Sequence, residues 1–261
     1  MIPAPSTLAE AVALSQAGGN YAAGRTVLRP GAAPDDNLID ISRLPGLDGI
    51  DEAADGGSLR IGALVTLERL RRDPRVTARN PALVALLGLV AGLGVRTLAT
   101  VGGNIGWGAG DLVPFLLAHD ARLETSEGVL DADSLPAGAL LVAVRLPPQP
   151  PMSFVEKAGY RAAFSPTLIT VALCAEVLKR RVTSIRIAAG GGVTRPQRLG
   201  RAEAQLTGSA LDGFDWQCLA DTIEDELDTV SDALASAAHR RRVAARLITG
   251  RLVEELARGA A

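Results

Sequence analysis

Four prolines within five consecutive positions divide this sequence into two parts. Pro147, Pro148, Pro150 and Pro151 cannot lie inside a helix or a central strand, because proline lacks the backbone N–H and fixes φ. They therefore predict a stiff connector between two folding units. The chain has 261 residues and 48% of them are hydrophobic, so both parts can bury a core.

Local patterns predict helices and strands on both sides of the connector. Thr7 and Glu10 form a capping box that opens the first helix. Before the connector we predict strands at 21–23, 38–41 and 58–63, and helices that begin at Thr66, Asn80 and Leu112. After it we predict a hairpin of strands 167–177 and 182–189, then helices at 216–227 and 235–256. The C-terminal half is therefore α+β, with strands first and helices last.

Charge and cysteine content exclude several classes of protein. The net charge is -2, from 27 basic and 29 acidic residues, which argues against a nucleic-acid binder. An all-cysteine iron–sulfur cluster needs four thiolates, and this sequence has two cysteines. Cys174, Cys218, His119 and His239 are too scattered for a structural zinc site, so we expect no metal. Cys174 lies in an apolar run and is expected to be a buried free thiol.

The sequence also carries no signal for export or membrane insertion. The N-terminus lacks the basic and apolar regions of a signal peptide. The longest apolar stretch, residues 81–95, is too short to cross a bilayer. We therefore expect a cytoplasmic protein without a membrane span.

The histidines and an arginine run offer little catalytic chemistry. His119 and His239 occur without the spacing of a catalytic triad or of a metal-binding HExxH motif. We interpret both as structural or solvated residues. The run Arg240-Arg241-Arg242 is interpreted as a solvated helix face, with a partner surface as the alternative.

Two glycine-containing segments are candidate anion sites. The first, residues 22–26, is a predicted strand that ends in Gly24 and the hydroxyl of Thr26. The second runs from Thr100 to Asn104 and continues as a loop through Gly110. Glycines let backbone N–H groups surround an anion, so both segments fit a phosphate site. An ordinary tight turn is the alternative for each of them.

Several segments, in this order along the chain, resemble one known family. The most specific is residues 95–105. The segments 22–26, 38–41 with 44–47, 59–63 with 66–67, 111–112 with Pro114, 135–138, 145–147, 154–157, 190–193 and 231–232 with 240–241 also fit. They resemble the FAD-binding (medium) subunits of molybdopterin dehydrogenases and hydroxylases. The resemblance implies an α+β, PCMH-type FAD-binding fold of two subdomains, 1–58 and 59–150, followed by a C-terminal domain, 151–261, with a three-stranded sheet and helices.

The resemblance also implies a set of FAD-binding residues. These are Tyr21, Ala22, Ala23, Gly24, Arg25, Thr26, Val27, Leu28, Val90, Thr100, Gly102, Gly103, Asn104, Trp107, Asp111, Leu146 and Lys157. Residues 20–28 and 100–104 would wrap the diphosphate, and Asp111 would lie near the ribityl or ribose hydroxyls. Val90, Leu146 and Lys157 would contact the flavin or adenine, with a core role as the alternative for the two aliphatic residues. Few contacts are expected from the C-terminal half.

This sequence departs from the family pattern at two of these positions. Arg25 replaces a small residue, where it would either obstruct the loop at a positive φ or form a salt bridge with the diphosphate. Trp107 stands where a small polar residue is expected, and it would either stack on the flavin or fill its place.

The family's chemistry sets the functional expectation. The resemblance implies an assembly of this chain with an iron–sulfur subunit and a molybdopterin subunit. Electrons would pass from the iron–sulfur clusters through this chain's FAD to NAD or another acceptor. The alternative is a stand-alone or repurposed flavin-fold enzyme, redox or non-redox, that acts on a small molecule with weakened or lost FAD binding. A structural protein that has lost the cofactor is the third hypothesis.

Overall fold

The computed structural model describes residues 2–27, 37–161 and 165–258. Its N-terminal part consists of helix α1 (Leu8–Gln16) and two parallel strands, β1 (Asn20–Ala22) and β2 (Leu38–Asp40). Thr7 caps α1 as predicted, since its Oγ1 accepts a hydrogen bond from the Glu10 N–H at 3.2 Å. These elements share a small apolar core, whose buried members are Ala11, Ile39, Ile41, Leu44, Leu47 and Leu140.

A five-stranded antiparallel sheet follows. Its strands are β3 (Ile50–Glu52), β4 (Leu59–Gly62), β5 (Arg122–Thr125), β6 (Val129–Asp131) and β7 (Leu141–Leu146), in the spatial order β3-β4-β7-β5-β6. Strand β3 was not predicted. It pairs with β4, so this sheet begins ahead of the 58/59 boundary drawn from the sequence.

Short helices connect β4 to β5. They are α2 (Leu67–Arg72), α3 (Pro74–Arg79), α4 (Pro81–Leu89), α5 (Leu93–Arg96), α6 (Val101–Gly106) and α7 (Leu112–Ala118). Thr66 caps α2 as predicted, but Asn80 makes no side-chain cap for α4 and instead donates its Nδ2 hydrogen to the Pro147 carbonyl at 3.0 Å. The predicted loop from Gly102 to Gly110 is wrong in its first half, which is helix α6.

The C-terminal part is an antiparallel sheet covered by helices. Its strands are β8 (Met152–Gly159), β9 (Thr167–Leu178), β10 (Arg181–Gly191) and β11 (Thr194–Arg198), in the order β11-β10-β9-β8. The predicted hairpin is confirmed as β9 and β10, but the sheet has four strands where the resemblance implied three. Helices α8 (Gly200–Leu206), α9 (Trp216–Glu226) and α10 (Ala237–Arg258) follow.

Two large cores lie on opposite faces of this C-terminal sheet. On one face its strands pack against α8 and α10, and α9 packs on these two helices and contributes to the same core. On the other face Ala172, Cys174 and Ala188 join the core of the five-stranded sheet. Helix α4 packs against β8, and α7 packs against β9, β10 and β11, so these two helices connect the parts of the molecule.

Two buried polar residues, His119 and Arg240, make hydrogen bonds between distant parts of the fold. His119, at the end of α7, donates from Nδ1 to the Phe115 carbonyl and accepts at Nε2 from the Ser153 hydroxyl at 2.9 Å. Burial lowers the pKa of His119 to about 4. Arg240 was predicted to lie on a solvated face, but it is buried, donates to the Leu168 carbonyl and lies 2.7 Å from Asp232 Oδ1.

The remaining sequence expectations concern the cysteines and the membrane. Both cysteines are free, with Cys174 buried as predicted and Cys218 exposed. Among the described residues, no helix combines the length and the apolar character that crossing a membrane requires.

Candidate functional site

A cleft of about 1080 Å³ opens where the three parts of the molecule meet. One wall is the segment 19–27 after α1, and a second comprises α6 with the residues around it. The third wall belongs to the C-terminal half and includes Lys157, residues 165–167, 192–193 and 195–196, Asp232 and Leu234. The C-terminal half, from which few cofactor contacts were expected, therefore supplies one wall of the cleft. A cleft of this volume can hold a large cofactor.

Unpaired backbone donors mark the first wall. The N–H groups of residues 23–27 donate to no other residue in the described part of the chain. Gly24 packs directly on the backbone that follows α5. A Cβ atom at this position would lie 1.9 Å from the Leu98 carbonyl oxygen, so only glycine allows this close approach. A run of free N–H groups on a fixed loop suits an anion, as the sequence predicted for this segment.

Arg25 occupies a strained position in the same loop. Its φ of 53° lies in the left-handed region that non-glycine residues rarely adopt. Its guanidinium donates to Asp40 Oδ2 at 3.1 Å, so a carboxylate of β2 holds the Arg25 side chain. Hydrogen bonds from Ser42 and the charge of Arg25 lower the pKa of Asp40. Both side chains are partly exposed, which leaves this pair open to exchange.

Helix α6 forms the second wall, but its first N–H groups are already bonded. Val101 donates to the Val65 carbonyl at 2.9 Å and Gly102 donates to Ala63 at 2.8 Å. Gly103 donates to Thr100 Oγ1 at 3.0 Å, and Asn104 donates to the Thr100 carbonyl at 3.0 Å. These groups are not free for an anion, so the predicted nest of backbone donors is wrong here. The segment still lines the cleft, and its glycines present backbone without side chains to it.

Asn104 orders the loop after α6. Its Oδ1 accepts from the Leu112 N–H at 3.1 Å, which fixes the start of α7. Its Nδ2 has no partner among the residues that the structure describes, so two hydrogens remain for a ligand. Gly110 packs so closely on this residue that a Cβ atom would lie 2.1 Å from the Asn104 carbonyl oxygen.

Asp111 is the centre of a buried polar cluster between the second and third walls. Its Oδ1 accepts from the hydroxyls of Thr167 at 2.8 Å and Thr170 at 2.7 Å. Its Oδ2 lies 3.4 Å from Lys157 Nζ, and both charged side chains are more than nine-tenths buried. Lys157 Nζ also donates to the Ser165 carbonyl at 3.3 Å. The cluster ties α7 to β8 and β9, and it places a carboxylate and an ammonium at the edge of the cleft.

The other predicted site residues divide into three groups. Tyr21, Ala22 and Val90 line the cleft with largely buried side chains, whereas Trp107 lines it with 54% of its surface exposed. Leu146 is fully buried in the core of the five-stranded sheet and is not among the lining residues, so the core interpretation is correct for it. Leu28 lies outside the described residues.

Sequence reasoning missed part of the third wall as a site. Val193, Arg195, Asp232 and Leu234 line the cleft, although their residue types carry no recognisable ligand motif. Val193 and Asp232 lie in segments that resemble the family, and the first of these contains the glycine run 190–192, but the sequence assigned neither residue to the site. Gly191 and Gly192 have φ values of 92° and 62°, which turn the chain between β10 and β11 into the cleft.

Two family models together cover most of the chain. Residues 2–149 match the model described as FAD binding domain in molybdopterin dehydrogenase, and residues 157–256 match CO dehydrogenase flavoprotein C-terminal domain.

The chain belongs to the FAD-binding family of the molybdopterin dehydrogenases.

Known members of this family are similar over most of their length. The nicotine 6-hydroxylase medium subunit of Paenarthrobacter nicotinovorans is 29% identical over 85% of this chain and 82% of its own. The putative xanthine dehydrogenase FAD-binding subunit of Escherichia coli K12 is 31% identical over 77% of this chain and 74% of its own. The solved carbon monoxide dehydrogenase of Hydrogenophaga pseudoflava that lacks the Mo-pyranopterin moiety superposes with a TM-score of 0.86, at 28% identity over 98% of this chain and 97% of that one.

Membership in the molybdopterin dehydrogenase family confirms the predicted α+β FAD-binding fold with its C-terminal domain, and it confirms FAD as the cofactor. The chain is the FAD-binding medium subunit of an oxidoreductase. The cleft fits that cofactor, since the free N–H groups of residues 23–27 suit a diphosphate and the volume suits a dinucleotide.

Proposed function

We propose that this chain holds FAD in the cleft and, within a larger assembly, passes electrons from a partner's iron–sulfur clusters to NAD or another acceptor. The observation that carries the proposal is the loop of residues 23–27. These residues line a cleft of about 1080 Å³ between the N-terminal and C-terminal parts, and their N–H groups donate to no other described residue. Those donors match the diphosphate, which distinguishes FAD from simpler flavins.

The proposed FAD contacts are the predicted residues that line the cleft. They are Tyr21, Ala22, Ala23, Gly24, Arg25, Thr26, Val27, Val90, Thr100, Gly102, Gly103, Asn104, Trp107, Asp111 and Lys157. Residues 23–27 would bind the diphosphate through backbone N–H groups, and Arg25 would exchange Asp40 for a phosphate oxygen. Asn104 would donate from Nδ2, and the buried Asp111 and Lys157 would orient polar groups of the cofactor.

The names of the relatives and the cysteine content of this sequence support the proposed partners. When bound, FAD supplies the exchange between one-electron centres and a two-electron acceptor. With two cysteines, this sequence cannot bind an all-cysteine iron–sulfur cluster, so such a cluster must lie outside it. The relatives are named as medium or FAD-binding subunits, which supports an assembly with an iron–sulfur subunit and a molybdopterin subunit.

Purification of the untagged protein from its native source tests this proposal. We expect one FAD per chain to elute from size exclusion together with iron, molybdenum and two further chains. Removing those chains should leave a protein that holds FAD but transfers electrons slowly. A 27.0 kDa species that carries full activity alone, with no gain on adding cell extract, would contradict the assembly and favour a stand-alone flavin enzyme.

A further inference from the structure

The turn that follows α4 forms part of the cleft wall and has a strained backbone. Val90 and Ala91 both line the cleft, and Val90 is one of the residues predicted to contact the cofactor. Ala91 has a φ of 49°, in the left-handed region that alanine rarely adopts. This region is about 5- to 30-fold less populated for alanine than the right-handed one, so other contacts must hold the turn.

Arg96, the last residue of α5, supplies such contacts. Its Nη1 donates to the Val90 carbonyl at 3.1 Å and to the Ala91 carbonyl at 2.7 Å. Both carbonyls lie just beyond the last residue of α4, where the helix offers them no N–H partner. The guanidinium therefore fixes two successive peptide groups of the turn.

A buried carboxylate holds this guanidinium in turn. Glu68 Oε2 accepts from Arg96 Nε at 2.8 Å, and the side chains of Arg96 and Glu68 are only 11% and 6% exposed. Arg71 and Arg72 donate to the same carboxylate. Hydrogen bonds from Arg71 and Arg96 lower the pKa of Glu68 well below its usual range, so the carboxylate stays charged at neutral pH. This charge-assisted pair keeps Arg96 in one geometry.

A second cation bonds the residue before the turn. Lys157 Nζ donates to the Leu89 carbonyl at 3.4 Å and lies 3.4 Å from Asp111 Oδ2. The carbonyls of residues 89–91 are thus bonded to two cations, each of which pairs with a buried carboxylate. Lys157 lines the cleft, but Arg96 and Glu68 are not among the lining residues. Arg96 therefore acts on a ligand through the turn and not by contact.

We propose that Arg96 is a positioning residue for FAD, which together with Glu68 holds Ala91 in the left-handed conformation and so shapes the cleft wall for the cofactor. The proposal rests on the proposed function, which places FAD in this cleft. Without the guanidinium, the turn should relax to the conformation that alanine prefers. The Kd then rises by the inverse of the fraction of chains whose turn is still competent to bind, which is about 5- to 30-fold.

Equilibrium dialysis of the full chain against FAD tests this proposal. Arg96→Met should raise the Kd for FAD about 5- to 30-fold. Adding Ala91→Gly to Arg96→Met should return the Kd close to the wild-type value, because glycine adopts the left-handed conformation without a steric penalty. Ala91→Gly alone should leave the Kd unchanged. A residue that only stabilised the fold would not show this rescue.

Arg71→Met serves as the control within the same ion-pair cluster. Arg71 donates to Glu68 at 3.1 Å and 2.7 Å, but it makes no hydrogen bond to the turn in the described part of the chain. Its loss should lower stability to urea and leave the Kd for FAD unchanged. In the FAD-free chain, hydrogen exchange at residues 90–92 should be faster in Arg96→Met than in Arg71→Met.

If Arg96→Met does not fold, Arg96→Lys replaces it, with and without Ala91→Gly. Lysine keeps a charge for Glu68 but cannot bond the carboxylate and both carbonyls in the forked geometry of a guanidinium. The Kd for FAD should again rise and again be restored by the glycine.

Two results would refute the positioning role while the wild type still binds FAD, and so leave the proposed function intact. One is an Arg96 variant that binds FAD as tightly as wild type, or whose lost affinity Ala91→Gly does not restore. The other is an Arg71→Met protein that loses as much affinity as Arg96→Met, since the ion-pair cluster and not the turn would then be responsible. A wild-type chain that binds no FAD would refute the proposed function, and this proposal with it.

Discussion

Gly24→Ala is the sharpest single perturbation of the proposed diphosphate loop. The φ of Gly24 is not in the left-handed region, so the effect of a methyl group there is steric. An alanine Cβ would lie 1.9 Å from the Leu98 carbonyl oxygen and 2.7 Å from its carbonyl carbon. Both neighbours are backbone atoms of a segment packed in the protein, so the loop of residues 23–27 has to move.

The size of the effect follows from this overlap. Ordinary contact begins at 3.4 Å, so the loop must withdraw by about 1.5 Å. Hydrogen bonds between N–H groups and a phosphate oxygen span about 2.7–2.9 Å, and such a displacement breaks the nearest ones. Losing two of them, at about 1.5–3 kcal/mol each, should weaken FAD binding by roughly 10²- to 10⁴-fold.

Equilibrium dialysis against FAD, with circular dichroism to check the fold, measures this change. Gly88→Ala is the matched control, because Gly88 is an exposed residue of α4 with no atom within 4 Å of the added Cβ. There the same substitution should leave the Kd unchanged and stabilise the helix by about 1 kcal/mol. A Gly24→Ala protein that is folded and binds FAD as tightly as wild type would refute the role of this loop.

Three further predictions concern charged groups. Asp40→Asn releases the Arg25 guanidinium and should tighten FAD binding about two- to fivefold at low salt, whereas Arg25→Ala should weaken it. If both variants and the wild type show the same Kd for FAD in dialysis, Arg25 does not contact the cofactor. The pKa of His119 is lowered from 6.5 to about 4, so the folded state binds fewer protons, and stability should fall by about 3 kcal/mol as the pH drops from 6.5 to 4. Urea unfolding of His119→Gln should show a shallower decline over this range, and an identical decline would rule out this residue as its source. Asp232→Asn leaves the buried guanidinium of Arg240 without its carboxylate and should lower the free energy of unfolding by about 3 kcal/mol, so a loss below about 1 kcal/mol would contradict the structural role of this pair.

Local signals predicted the elements that depend on local interactions. Thr7 and Thr66 cap their helices through the N–H three residues later, a bond that needs no distant residue. The hairpin was predictable because two β-branched runs flank a short charged turn. Lys179 and Arg180 both adopt positive φ there, so the turn forms without the glycine that usually marks it.

Elements that depend on distant partners were not predictable in this way. Helix α6 forms in a glycine-rich segment because Ala63 and Val65 accept bonds from its first N–H groups, and a local pattern does not show these partners. Strand β3 has three residues, two of them acidic, and its pairing with β4 defines it. Arg240 looked exposed among other arginines, but Leu168, 72 positions away, supplies its buried acceptor.

The candidate site, like the fold, was predicted where a local motif marks it and missed where distant segments come together. The loop at Gly24 carries a recognisable motif, and in the structure its residues line the cleft and their N–H groups donate to no other described residue. The motif at Gly102 and Gly103 was recognised, but its N–H groups proved to be bonded within the fold. Arg195 and Leu234 were missed because only the folding of the C-terminal half brings them to the cleft.

Competition between FAD and FMN for the purified chain tests the central claim most directly. FMN has the same flavin ring but lacks the diphosphate and the adenosine, so it cannot use the N–H groups of residues 23–27 in the same way. The account predicts one FAD bound per chain and a preference for FAD over FMN of at least roughly 10²-fold, since two or more charge-assisted hydrogen bonds depend on the diphosphate. A chain that binds neither flavin, or that binds FMN as tightly as FAD, would contradict it.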